Sequence, residues 1–174
     1  IQFLLIMVAT GTSSGLVMLA AQYWGKQDTE SIRTLHGIAL RISAVCGLIF
    51  SIAAMFFPHL LMKIFTDEVD LINTGSKYLR AVSFSYFFFA VSQVFQAGFK
   101  SIERVKIVTI MTTTALSLNI FLNAVFIFGW FGLPQMGIVG VGLATTISRA
   151  VELIFCLIYA KTQKDVKFRL SNVF

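Results

Sequence analysis

The chain has 174 residues, of which 57% are apolar and only 13% charged, with a net charge of +6. Disordered chains are polar and charge-rich, so disorder is excluded, and two cysteines 110 positions apart, Cys46 and Cys156, exclude a secreted disulfide scaffold. A soluble domain carries roughly 25% charged residues, so this composition fits the bilayer as solvent far better than water.

A spanning helix needs about 20 mostly apolar residues, because the hydrocarbon core is roughly 30 Å thick. The first predicted span covers residues 1–24 and holds no charge. It lacks the basic start and short apolar core of a secretory signal peptide. The second covers 42–62 and ends near Pro58 and His59; the third covers 81–99. Residues 107–148 then run for 42 positions without Asp, Glu, Lys or Arg. As one helix they would reach about 63 Å, so the chain must fold back once. The turn chemistry available is Gly129, Gly132, Pro134 and Gly137. It divides the stretch into spans 107–130 and 136–160. The expected fold class is all-α, a polytopic membrane bundle of five transmembrane helices in residues 1–160, followed by a polar segment at 161–174. An odd number of spans and a first residue other than Met lead us to expect a piece of a longer protein.

The charges mark orientation. Segments on one side of the spans hold Lys26, Arg33, Arg41, Lys100, Arg104, Lys106, Lys161, Lys164, Lys167 and Arg169. The other side holds Lys63, Lys77 and Arg80, among Asp67, Glu68 and Asp70. Ten basic residues against three is a positive-inside signal. It places the C-terminal tail in the cytoplasm and the chain in a cell (inner) membrane, with the lipid bilayer as its main partner. Tyr23, Trp24, Trp130 and Tyr159 lie at span ends, where interfacial aromatics belong. No basic patch with interleaved aromatics points to nucleic acid.

Polar groups within a bilayer are costly and point to packing, pathways or sites. Gly11 and Gly15 form a GxxxG with three hydroxyl residues between, read as a close-packing face. Gly140, Ala144 and Ser148 recur every four residues and read the same way. Gln93 and Gln96 either support packing or line a vestibule. The run Tyr86, Phe87, Phe88, Phe89 is a packed or lipid-facing surface, or an aromatic wall for flat organic cations. Asn119 and Asn123, four apart, lie on one helix face. Two primary amides there either bond a neighbouring helix, with Thr145 and Thr146 as partners, or offer oxygens to a hard cation such as Na⁺. Arg149 and Glu152 are the charged pair deep inside a span, three apart. They form a neutral structural pair or a proton-carrying site. Cys46 and Cys156 read as small hydrophobes. His36 and His59 stand alone, no cluster has metal-ligand spacing, and no catalytic motif is present, so no catalytic residues and no cofactor are expected.

Three stretches resemble the multidrug and toxic compound extrusion (MATE) family of transporters. Residues 11–28, GTSSGLVMLAAQYWGKQD, resemble the family's small-residue second helix, with Gln22 and Gly25 in its Gln-x-x-Gly turn. QAGFKSIERVK resembles the hinge into the fifth helix. Residues 119–149, NIFLNAVFIFGWFGLPQMGIVGVGLATTISR, carry nearly the whole N-x-x-x-[DN]…IFG…P-x-x-G…A-T pattern.

The resemblance implies a protein of two six-helix halves, with this chain supplying helices two to six of the N-terminal half and residues 161–174 beginning the cytoplasmic linker to the second transmembrane half. It implies cation-coupled antiport of small organic cation substrates and drugs, a multidrug efflux activity driven by Na⁺ or H⁺. The family's cation site in this half uses a first-helix Asp, which lies outside this chain, two fifth-helix positions matching Asn119 and Asn123, and a sixth-helix position matching Thr145. The second fifth-helix position is often Asp. Asn123 carries no proton, which weakens a proton relay here and favours Na⁺. Gln93, Gln96, Arg149 and Glu152 are the candidates for the substrate pathway. Two other readings stand beside this one: a lipid or polysaccharide flippase of the same superfamily, and a non-transporting membrane scaffold subunit.

Overall fold

The computed structural model describes residues 2–129 and 135–163, and these form six helices. They are α1 (Gln2–Gly25), α2 (Thr29–Phe56), α3 (Pro58–Lys63), α4 (Val69–Ser101), α5 (Val105–Phe128) and α6 (Gly137–Thr162). Five of them, all but α3, are long and apolar enough to cross a membrane. The protein is a polytopic helical membrane bundle.

Two helices outrun their apolar spans. α2 begins at Thr29 rather than near residue 42, and α4 at Val69 rather than near 81. Span length reports the hydrocarbon thickness, whereas a helix continues until its backbone is interrupted. Charged residues such as Arg33 and Lys77 are good helix formers and do not stop it. What starts α2 is a cap: Asp28 accepts hydrogen bonds from the Ser31 amide at 3.0 Å and the Ser31 hydroxyl at 2.6 Å. The second span also does not run unbroken to residue 62. Pro58 disfavours helical backbone in the residue before it, so α2 ends at Phe56 and Pro58 opens the short α3 as its first residue.

α4 is the hub. It packs against α1, α2, α3 and α6, while α5 packs mainly against α6. Its apolar window is 72% buried, against a third or less for the other spans. Phe95 and Phe99 are fully buried, with His36 edge-on to Phe95 at 5.0 Å and Tyr159 edge-on to Phe99 at 5.0 Å. The outer faces remain apolar: Ile49 and Phe56 on α2 and Ile110 and Ile120 on α5 are each more than half exposed. In water this would be a large sticky surface; in lipid it is the surface the solvent requires.

Glycines set the closest crossings. A Cβ on Gly47 would lie 2.8 Å from Ala90 Cβ, one on Gly142 2.7 Å from Ala81 Cβ, and one on Gly140 2.8 Å from Phe126 Cβ. Gly140, Ala144 and Ser148 are all buried, in keeping with a packing stripe. The Gly11–Gly15 face is different. A Cβ on either would meet nothing within 4 Å among the described residues. α1 packs instead through Leu5, Ala9, Ser13, Leu16 and Ala20. Both glycines are two residues from Ser13, about 200° around the helix, and so face away.

The fold-back after α5 begins at Gly129, whose left-handed φ of 69° caps the helix. The Met136 amide then bonds the Phe126 carbonyl at 3.0 Å and leads into α6. Gly132, Pro134 and Trp130 of the expected turn, and residues 164–174 of the expected linker, lie outside the described residues.

Candidate ion and substrate site

α5 lays Thr112, Ala115, Asn119 and Asn123 along one face at helical spacing, and α6 sets Thr145, Ser148 and Arg149 against it. The two Asn side chains meet within α5: Asn123 Nδ2 donates to Asn119 Oδ1 at 3.1 Å. Asn119 Nδ2 in turn donates to Thr145 Oγ1 across the helix pair at a long 3.5 Å, and Thr145 Oγ1 donates to the Val141 carbonyl. Thr146 does not join this array. Its hydroxyl bonds the Ala81 carbonyl on α4 at 2.9 Å. One acceptor is left over: Asn123 Oδ1 is buried with no hydrogen-bond partner among the described residues. A buried unsatisfied acceptor costs about 1–3 kcal/mol. A carbonyl oxygen without a donor is also the kind of ligand that a hard cation accepts.

Asn119 and Thr145 line a cavity of about 290 Å³ between the helices, shared with Thr112, Ala115, Ser148 and Arg149. Beside it lies a second polar network. Glu152 is 1% exposed; one carboxylate oxygen accepts from Gln96 Nε2 at 2.9 Å and the other from Arg149 Nη1 at 2.7 Å. Thr112 Oγ1 reaches Gln96 Oε1 at 3.5 Å, so the network spans α4, α5 and α6. The Arg149 guanidinium stacks 4.9 Å over the Phe89 ring.

Gln93 and Gln96 therefore part company. Gln96 is buried in the Glu152 network, whereas Gln93 lines a separate cavity of about 370 Å³ between α1 and α4, with Thr10, Ser13, Ser14 and Lys100. The sequence pairing of Arg149 with Glu152 appears as drawn. Thr112, the contact of Phe89 with Arg149 and the Gln96–Glu152 bond did not come from sequence, which named Phe89 only within the aromatic run 86–89. A signal for them exists: Thr112 precedes Asn119 by seven residues, and Phe89 precedes Gln96 by seven, which in each case is one helix face.

The MatE family model matches residues 1–125. The chain belongs to the MatE family. This MatE chain is 26% identical over 166 residues to a protein described as "Probable multidrug resistance protein YoeA" in Bacillus subtilis (strain 168), covering 93% of the chain and 35% of that relative. It also resembles the structure of an inward-facing multidrug resistance MATE family transporter, with a TM-score of 0.85 at 20% identity, covering 98% of the chain and 38% of that structure. An outward-facing structure of a MATE family transporter matches with a TM-score of 0.83 at 20% identity, covering 98% and 37% respectively. These MatE relatives are thus almost three times the length that this chain spans.

Proposed function

We propose that this chain supplies five of the six helices of the N-terminal transmembrane half of a cation-coupled antiporter that exports amphipathic organic cations, with Na⁺ as the favoured coupling ion over H⁺. The observation that carries the reading is the Asn119–Asn123–Thr145 array, with the Asn123 carbonyl oxygen buried at its end and without a partner among the described residues. Asn123 has no ionisable proton, so this array suits a metal cation better than a proton. Coupling requires that ion and drug differ in affinity for the two access states. The long 3.5 Å contact between Asn119 and Thr145 crosses from α5 to α6, so a small relative movement of those helices would change the ligand set. That both inward- and outward-facing transporter structures superpose on this chain supports a half that moves as a unit. The ten-to-three basic bias supports a cytoplasmic C-terminal tail.

Dye export by the full-length protein in cells, with Na⁺ and pH gradients imposed separately, tests this. Na⁺-driven export is expected to fall at least about tenfold in Asn119→Ala and in Asn123→Ala, the loss of one cation ligand interaction each. Unchanged export and unchanged ion dependence in both variants would show the array is structural only.

A further inference from the structure

Across residues 81–99 and 107–160, Arg149 and Glu152 are the only charged side chains. Charge inside a bilayer is costly and marks a site or a pathway, yet neither residue belongs to the Asn119–Asn123–Thr145 array. Arg149 lies close to it all the same. It follows Thr145 by four residues on α6, one turn or about 6 Å along the axis, and it lines the same cavity as Asn119 and Thr145. A cation held by the array meets that guanidinium as a like charge. At such a separation in a protein interior, the repulsion of two unit charges lowers affinity at least about tenfold.

Glu152 offsets this repulsion. Its carboxylate is buried and accepts from Arg149 Nη1 at 2.7 Å, a charge-assisted bond one turn further along α6. The other oxygen accepts from Gln96 Nε2 of α4 at 2.9 Å, and Thr112 of α5 donates to Gln96 Oε1 at a long 3.5 Å. Phe89 of α4 lies against the guanidinium. The carboxylate is thus anchored from a second helix, and the arginine is tied to it. These contacts run between α4, α5 and α6, so they do not depend on what packs outside this chain. Glu152 does not line the cavity. It acts on the array through Arg149 rather than as a ligand.

We infer that Glu152, anchored by Gln96, is a positioning residue for the ion site: it ties down Arg149 and cancels its charge, so that a cation can occupy the Asn119–Asn123–Thr145 array. The inference rests on the reading that this array takes Na⁺. It also suits the export of organic cations, which a bare guanidinium in the cavity wall would repel.

Equilibrium binding of radiolabelled Na⁺ to the purified full-length protein in detergent tests it. Alkaline buffer keeps a carboxylate that has lost its arginine ionised. Glu152→Gln leaves the arginine bare and is expected to weaken Na⁺ binding at least about tenfold. Arg149→Gln leaves the more distant carboxylate bare and is expected to tighten it at least about threefold. The double variant Arg149→Gln/Glu152→Gln is neutral again and is expected to bind within about twofold of wild type. A pair that only holds helices together does not give opposite signs, nor recovery in the double variant. Either single variant decides if the other does not fold: Na⁺ binding unchanged in Glu152→Gln, or unchanged or weakened in Arg149→Gln, overturns the inference. So does a double variant as weak as Glu152→Gln. Asn119→Ala separates this inference from the reading beneath it. Na⁺ binding that needs Asn119 but ignores all three charge variants sinks the inference alone. No saturable Na⁺ binding in wild type sinks the array reading and the inference with it.

Discussion

Asp28 shows how one side chain starts a helix. The Ser31 hydroxyl and then the Ser31 amide bond its carboxylate and hold its carboxyl below the ordinary 3.8. The sign follows from linkage: a group whose folded value is lowered stabilises the fold above its unfolded value, and that contribution is lost as pH falls through the folded one. Backbone amides in the first turn of α2 are therefore expected to lose protection as pH drops below about 4. Asp28→Asn keeps a capping oxygen and should remove this pH dependence. Hydrogen exchange corrected for intrinsic rates measures both. At the same scale, the sequence spacing of Asn119 with Asn123 and of Arg149 with Glu152 correctly placed each pair on one face. It could not place Gln96 against Glu152, because those residues are 56 apart and meet only through the packing of α4 on α6.

Among the helices, the informative residues are those whose absent side chain permits contact. Gly47→Ala puts a methyl 2.8 Å from Ala90 Cβ and 3.2 Å from the Phe87 backbone. It is expected to cost about 1–3 kcal/mol as overpacking, against a smaller propensity gain. Gly11→Ala and Gly15→Ala on the open face of α1 meet nothing within 4 Å among the described residues. They are expected to leave the isolated chain unchanged or more stable by up to about 1 kcal/mol. Thermal unfolding of the three variants in detergent compares them, and a Gly47→Ala chain as stable as wild type would refute the tight crossing. The GxxxG motif pointed to α1, whereas the tight crossings fall on α2 and α6. A small residue permits close approach but does not say which neighbour arrives.

For the whole molecule, α4 is surrounded and the other spans are mostly bare on their outer sides. The face of α1 bearing Gly11 and Gly15 has no close cover among the described residues, and the matched relatives are nearly three times as long as the stretch aligned. Expressed alone, the chain is expected to unfold at a clearly lower temperature than the same helices within the full-length protein. Equal melting in one detergent would show that these five spans are self-sufficient. Length, composition and the placement of charge were enough to establish a membrane bundle and its five spans, because the bilayer imposes those features on any helical chain that crosses it. They could not say which polar groups meet. In lipid the packed face and the solvent-facing side are equally apolar, and α1 and α4 show almost no apolar sidedness. Only the three-dimensional packing of α4, α5 and α6 joined Asn119 to Thr145 and Gln96 to Glu152, and set Arg149 in the wall of a cavity.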